Sequence, residues 1–452
     1  MSGSAEIVRA DALALPLADA SVDLVVTSPP YFGLRSYQDD GKHYDGQIGD
    51  EATPAEFVDA LIAATREMVR VLKPHRSIWV NLGDRYNAYN GNRGAGQIQD
   101  NGPRPTLPTG SGLDVKGIRP KSLIGVPWRY AIRCIDDLGL ILRAEVIWSK
   151  PNGLPESVTD RVRRSHEQWF HFTLSPRYYS AVDEIREEHA SEPGREGRGA
   201  LGGQKSLRPV GPNSGAYNPL GKLPGSVWTI ATEPLHVPDE LGVDHFAAFP
   251  TEWPRRIIQG WSPRGICTEC GEGRRPAREG EWHFQVPGHE VGRRALRKAE
   301  QAGVTAEIVG TIYGTKTKLG GNHSDRDRNV HPEVKRLAAD FGITLLSASG
   351  AMAATKRRLG GYVCACPEPT APTRPGVVLD PFGGTGTTAL VASALGRHGI
   401  SNDLSRDYLR IAAWRTSDPK QIAKAKREPF TPRQEPIDGQ LDILSMLEGE
   451  AS

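Results

Sequence analysis

Cysteine is scarce in this chain. Five in 452 residues are far too few for the disulfide framework that holds small secreted folds together. Long apolar runs are missing as well. No stretch approaches the ~20 residues that a membrane-spanning helix needs, and Asp11, Asp19 and Asp23 break up the opening hydrophobics, so no secretory leader is read there. Net charge is almost absent: 56 Lys and Arg against 54 Asp and Glu leave a formal +2. That total announces no polyanion partner, although a basic face can balance an acidic one, so charge must be read by region. The expectation is a soluble, cytoplasmic protein without a membrane partner, long enough for two or three domains.

The few cysteines that are present are not scattered. Cys267-x-x-Cys270 and Cys364-x-Cys366 form two close pairs, and in a reducing compartment such pairs suggest a four-cysteine tetrahedral zinc site, with redox or merely buried thiols as the alternatives. Cys134, alone in an amphipathic stretch, is expected to be a core thiol. Between the pairs lie Arg293-Arg294, Arg297-Lys298, Lys316, Lys318, Arg326, Arg328, Lys335-Arg336 and Lys356-Arg357-Arg358. This local excess suits phosphate contacts, against the blander alternative of a solvated basic face.

The rest of the chain alternates strand and helix. Thr53-Pro54-Ala55-Glu56 supplies an N-cap, a proline at the first helical position and a glutamate to close a capping box. Phe57, Leu61, Ala64, Met68 and Leu72 then recur at helical spacing until Lys73-Pro74, and Ile78–Leu82 reads as a strand. A helix near Trp128–Leu138 and a strand near Leu142–Trp148 continue the pattern. Further on, Val377-Val378-Leu379 leads into Asp380-Pro381-Phe382-Gly383-Gly384-Thr385-Gly386-Thr387-Thr388 and a helix from Ala389. Strand, glycine turn and helix, with Asp403 ending the next strand, imply a nucleoside cofactor whose ribose hydroxyls Asp403 can bind; Ser401-Asn402 interrupt that strand, so Asn402 or a shifted register is open as a contributor, and a carboxylate capping the next helix is the alternative. Taken alone, Gly384-x-Gly386-x-x-Ala389 also fits a nicotinamide oxidoreductase.

A second strand end has a different chemistry. Val22–Val26 runs into Thr27-Ser28-Pro29-Pro30-Tyr31. Two prolines hold the backbone extended and remove two N–H donors, leaving carbonyls as outward acceptors. Such acceptors suit an amino group. The Ser28 hydroxyl and the Pro29 carbonyl can accept the two hydrogens of an exocyclic NH2 and favour a pyramidal, nucleophilic nitrogen. Tyr31 or Phe32 would offer a stacking face to a base flipped out of a duplex.

Together these stretches resemble the amino-methylating DNA methyltransferases. Ser28-Pro29-Pro30-Tyr31 matches that family's catalytic signature and Asp380 through Thr388 its cofactor signature. Weaker resemblances lie in Trp148–Asn152, Ser165-His166-Glu167 and His245–Pro250. The resemblance implies an α/β fold, a Rossmann-like methyltransferase sheet with helices on both faces, in the permuted order of the β class. It implies S-adenosylmethionine as cofactor, lined by Asp380, Pro381, Phe382, Gly384, Gly386, Thr387 and Asp403, with Phe249-Pro250 against its methionine end. Double-stranded DNA is the implied substrate, and a partner restriction endonuclease is left open. The expected division is a catalytic half at 1–180, an insertion at 181–225 and a cofactor-enclosing segment at 226–264. A basic insertion with the zinc-ribbon-like site follows at 265–372, then the cofactor-binding half at 373–416 and a flexible tail, dispensable for chemistry, at 417–452. The two insertions are expected to recognise DNA.

The atom methylated is read from two features. C5 methylation needs a cysteine nucleophile, typically after proline, and no Pro-Cys pair occurs. Within the resembling family, serine in the first signature position usually accompanies cytosine N4, and Asp or Asn adenine N6. Ser28 therefore points to cytosine N4, and adenine N6 stays open because hydroxyl and amide both accept from NH2. A non-catalytic zinc-containing DNA-binding protein is the remaining alternative.

Overall fold

A computed structural model describes residues 3–33, 38–39, 42–43, 47–87, 115, 117–153, 156, 158–188, 220–241, 248–281, 356–364 and 371–430. The chain divides into two compact units, one comprising Met1–Ala181, Gly225–Arg274 and Thr370–Ser452, the other Val182–Pro224 and Arg275–Pro369.

The first unit opens with β1 (Ser4–Arg9), β2 (Val22–Thr27), the short pair β3 (Gln38–Asp39) and β4 (Lys42–His43), α1 (Pro54–Val71) and β5 (Leu72–Leu82). It continues through α2 (Val126–Asp136), β6 (Ile141–Ser149), β7 (His166–Thr173), β8 (Val227–Thr229), α3 (Glu252–Trp261) and β9 (Ile266–Cys267). The second unit contributes an antiparallel pair, β10 (Arg275–Glu281) and β11 (Lys356–Val363). The first unit then closes with β12 (Thr373–Arg374), β13 (Val377–Asp380), α4 (Thr387–Ala394), β14 (His398–Asp403), α5 (Arg406–Ser417) and α6 (Pro419–Lys426).

Among the described residues the main sheet has eight strands in the order β1-β14-β13-β2-β5-β7-β6-β8. Its pairings are parallel except at β7, which runs against both β5 and β6. All six residues of β2 are buried, the mark of a central strand covered on both faces. Alternation along β5 shows which elements cover which face. Ile78, Val80 and Leu82 join the core with Phe57 and Leu61 of α1 and Tyr130 of α2. Trp79, pointing the other way, meets Trp261 of α3 at 4.6 Å between ring centroids and stacks on His171 at 4.4 Å. Buried charge in β2 is matched: Asp23 pairs with Lys73 at 2.7 Å and Arg76 at 3.0 Å and accepts the Val377 N–H at 3.0 Å. No described helix is long and apolar enough to cross a membrane.

α1 begins as its sequence dictates, with the full Thr53/Glu56 capping box and Pro54 in the first turn. β5 starts earlier than Ile78 because Leu72 already pairs with Val22; the exposed Pro74 falls at the register irregularity that follows. The expectation of a flexible tail from 417 fails over its first turns. Asp418 caps a new helix by accepting the Gln421 N–H at 2.9 Å, Pro419 occupies its first turn, and the result is α6. Such a cap and proline are a helix start.

Candidate active site

A cleft of about 560 Å³ opens in the first unit along the edge where the parallel strands end. Parallel strands deliver their carboxyl ends to one rim, so Ala10 after β1, Ser28 after β2, Asn81 near the end of β5, Lys150 after β6, Pro381 after β13 and Asp403 at the end of β14 all line it. β7 runs the opposite way and brings its second residue, Glu167, to the same rim.

Ser28, Pro29, Pro30 and Tyr31 come together on one wall. The Ser28 hydroxyl donates to Asn81 Oδ1 at 3.2 Å. The Tyr31 hydroxyl reaches the same oxygen at 2.7 Å and Glu167 Oε2 at 2.8 Å. Asn81 is oriented in turn by donating Nδ2 to the Gln168 carbonyl at 3.1 Å. Glu167 pairs with Lys150, whose ammonium stands 4.2 Å from the centroid of the Trp148 ring. Phe32 offers no stacking face: it is buried in the core, 5.4 Å from Phe57.

The glycine-turn half divides into residues that face the cleft and residues that build its floor. Pro381, Phe382, Gly384, Thr387, Asp403 and Phe249 line the cleft, whereas Asp380, Gly386 and Pro250 do not. Asp380 lies wholly buried, accepting from Thr27 Oγ1 at 2.6 Å, Thr388 Oγ1 at 2.8 Å and the Phe382 N–H at 3.2 Å. Burial pushes its carboxyl up to about 6 against those three hydrogen bonds. Gly384 has φ +48° and open space where a Cβ would stand. Gly386 has φ +75°, and a Cβ there would come within 2.9 Å of Ala412 Cβ; its bareness serves helix packing.

Asp403 accepts the Gly384 N–H at 2.9 Å through Oδ2 and the Ser405 N–H at 2.9 Å through Oδ1. The cap of α5 is Ser405, which accepts from Tyr408 N. Asn402 is buried, bridging the Ala10 and Pro381 carbonyls at 3.0 and 3.1 Å. An acceptor carboxylate in the wall, an open glycine beside it and the rings of Phe382 and Phe249 fit a nucleoside with hydroxyls to donate.

The cysteines divide between the units. Cys267 ends β9 and Cys270 follows in a tight turn closed by Gly271 N–H to the Cys267 carbonyl at 3.0 Å; their sulfurs lie within 4.8 Å. Cys364 belongs to the second unit, and Cys366 lies outside the described residues. So do Arg293, Arg294, Arg297, Lys298, Lys316, Lys318, Arg326, Arg328, Lys335 and Arg336. Cys134 is fully buried in α2, its thiol pushed up to about 12 by burial.

A family model described as DNA methylase, covering N6 and N4 enzymes, matches residues 22–267 and 371–413. The chain belongs to the N6/N4 DNA methylase family. Type II methyltransferase M.Cfr9I of Citrobacter freundii is 37% identical over 262 residues, 56% of this chain and 71% of that protein. Type II methyltransferase M.SfiI of Streptomyces fimbriatus is 30% identical over 402 residues, 87% of this chain and 86% of that one. PvuII DNA methyltransferase (cytosine-N4-specific) superposes with a TM-score of 0.46 at 16% identity, covering 94% of this chain and 93% of that one.

For this DNA methylase the two signatures stood out in sequence, but the residues that orient them did not. Asn81 stands next to last in an unremarkable hydrophobic strand. Lys150 and Glu167 stood in the weaker resemblances without a role. Thr232 and Glu233 in the wall, and Arg415 behind the glycine turn, carried no signal.

Proposed function

We propose that this methylase transfers a methyl group from S-adenosylmethionine to the exocyclic N4 of cytosine in double-stranded DNA at a specific sequence. The observation that carries this reading is the direction of the hydrogen bond at Ser28. Its single hydrogen goes to Asn81 Oδ1, so its lone pairs are left to accept from an incoming amino group. With the Pro29 carbonyl as second acceptor, both amino hydrogens are held and the nitrogen lone pair is turned out of conjugation. A base in a duplex cannot reach this wall and has to leave the stack, with Tyr31 beside it. Asn81 and the Glu167–Lys150 pair keep Ser28 and Tyr31 in place before substrate arrives, the preorganisation on which positional catalysis depends.

The cofactor supplies an electrophilic methyl on a sulfonium. Asp403 would hold its ribose hydroxyls, Gly384 would allow close backbone approach, and Phe382 and Phe249 would cover its apolar faces. Serine at position 28 and the absence of any Pro-Cys pair favour cytosine N4. The basic second unit is proposed to carry target recognition, and zinc bound by Cys267, Cys270, Cys364 and Cys366 to stabilise that region. The Cys267–Cys270 turn supports two of those ligands. The names of the Type II relatives favour a partner restriction endonuclease.

Incubation with S-adenosylmethionine and DNA, then digestion to nucleosides and mass analysis, tests the assignment. N4-methylcytosine is expected. N6-methyladenine in its place would overturn the choice of base, and no methylated base in any DNA would overturn the activity.

A further inference from the structure

The family match ends at residue 413, yet the chain beyond it is tied to the cleft at two points. From the last turn of α5, buried Arg415 donates through Nη1 to Thr387 Oγ1 at 2.6 Å and Thr385 Oγ1 at 3.0 Å. Both threonines line the cleft. From α6, Lys424 Nζ stands 2.6 Å from Glu233 Oε1. The other oxygen of that carboxylate accepts both the N–H and the hydroxyl of Thr251 at 2.9 Å.

Glu233 lies in one stretch of cleft wall with Thr232 and Leu235, and Thr251 closely follows Ala248 and Phe249 of the other. A single carboxylate therefore joins two segments of wall. Burial alone would raise its pKa, but Lys424 and Thr251 hold it below the ordinary value, so it stays an acceptor. α6 is itself anchored to α3, by Arg255 donating to the Ala425 carbonyl and by Arg427 pairing with Glu252.

We propose that Lys424 is a positioning residue for the cofactor pocket, acting through Glu233 to keep Thr232–Leu235 and Ala248–Phe249 at the separation the cofactor needs. The proposal rests on the reading that this cleft binds S-adenosylmethionine. Its consequence is specific. Loss of the Lys424 charge should loosen cofactor binding without touching the Ser28 wall, where the transfer is made. A partly exposed ion pair sets the scale at about two- to fivefold for Lys424→Ala. Lys424→Glu, which adds repulsion against Glu233, should exceed it.

The experiment titrates S-adenosylmethionine by calorimetry into the full chain as wild type, Lys424→Ala, Lys424→Glu, Lys424→Arg and Lys426→Glu. Lys426 is exposed on the same helix and, two residues on, falls on the opposite side from Lys424, so its reversal matches the charge change without a new partner for Lys424. Steady-state methylation and melting temperature are measured on each. Support is a raised Kd and KM for S-adenosylmethionine in Lys424→Ala and Lys424→Glu, with kcat at saturating cofactor unchanged, near-wild-type binding in Lys424→Arg and no change in Lys426→Glu. Unchanged Kd in Lys424→Ala and Lys424→Glu, or an equal loss in Lys426→Glu, overturns it. Should Lys424→Glu melt early, Lys424→Ala decides. Wild type that fails to bind S-adenosylmethionine overturns the functional reading instead.

Discussion

Asparagine at position 380 separates a buried floor acceptor from a residue of the cleft wall. Asp380 is completely buried and accepts from Thr27, Thr388 and the Phe382 N–H. Burial, with a smaller push from Asp403, lifts it from 3.8 to about 6 against those hydrogen bonds. A folded-state pKa above the unfolded one means that the native protein holds this proton more tightly. The stabilisation is therefore complete below 3.8 and is lost as pH rises through about 6. The gap between those values corresponds to about 3 kcal/mol at high pH.

Asp380→Asn removes that titration at nearly constant shape. An amide nitrogen in place of Oδ2 would donate to Thr388 Oγ1, whose own hydrogen can turn to the Val26 carbonyl, already 3.4 Å away. One lengthened hydrogen bond costs about 1 kcal/mol. The variant should thus be slightly less stable than wild type near pH 4 and more stable by about 2 kcal/mol near pH 8. Urea unfolding followed by fluorescence of the nine tryptophans at a series of pH values reads the difference, from which titrations common to both proteins cancel. A difference that does not change with pH, or that grows towards acid in favour of asparagine, would refute the account of Asp380 as a charge buried at a cost.

His171 gives the opposite slope. Burial, helped by Arg143, depresses it from 6.5 to about 3, so its stability is present above 6.5 and drains away as pH falls; His171→Gln should flatten the acid side of a melting curve, and an unchanged curve would count against it. Gly384→Asp should abolish binding of S-adenosylmethionine with only the ~1 kcal/mol of a left-handed non-glycine residue lost in stability. Gly386→Asp, meeting Ala412 Cβ at 2.9 Å, should lower the melting temperature outright; identical behaviour of the two in calorimetry and melting would contradict the division between wall and floor. Asn81→Ala removes the acceptor that Ser28 and Tyr31 share, leaving Tyr31 held by Glu167 alone of the two, and kcat should fall by about 10- to 100-fold with Kd for the cofactor unchanged. Cys267→Ser should remove zinc from protein purified without chelator, and metal analysis that finds none in wild type would end that proposal.

The sequence by itself determined whatever depends on neighbours a few residues apart. The Thr53/Glu56 capping box links residues three apart, and α1 starts where that pattern says. Both signatures were legible because each is a strand end and its own turn, with prolines or glycines that restrict the backbone on the spot. Asp418-Pro419 carried the same kind of local signal for α6 but was lost in a polar stretch without helical apolar spacing. Tertiary structure alone decided which signature residues face the cleft and what holds them. Tyr31 meets Glu167 across 136 positions of chain, and only the reversed direction of β7 brings a residue from its start to a rim built of strand ends. Asp380 and Thr27 are 353 positions apart, and it is the pairing of β13 beside β2 that drops this carboxylate into the floor while Asp403, one strand further out, reaches the wall. Glu233 and Lys424 had no local reason to be noticed. Their partnership exists because α6 packs on α4 and α5 and is tied to α3 through Arg255 and Arg427, and a contact of that kind is set by packing of whole elements rather than by any pattern within one of them.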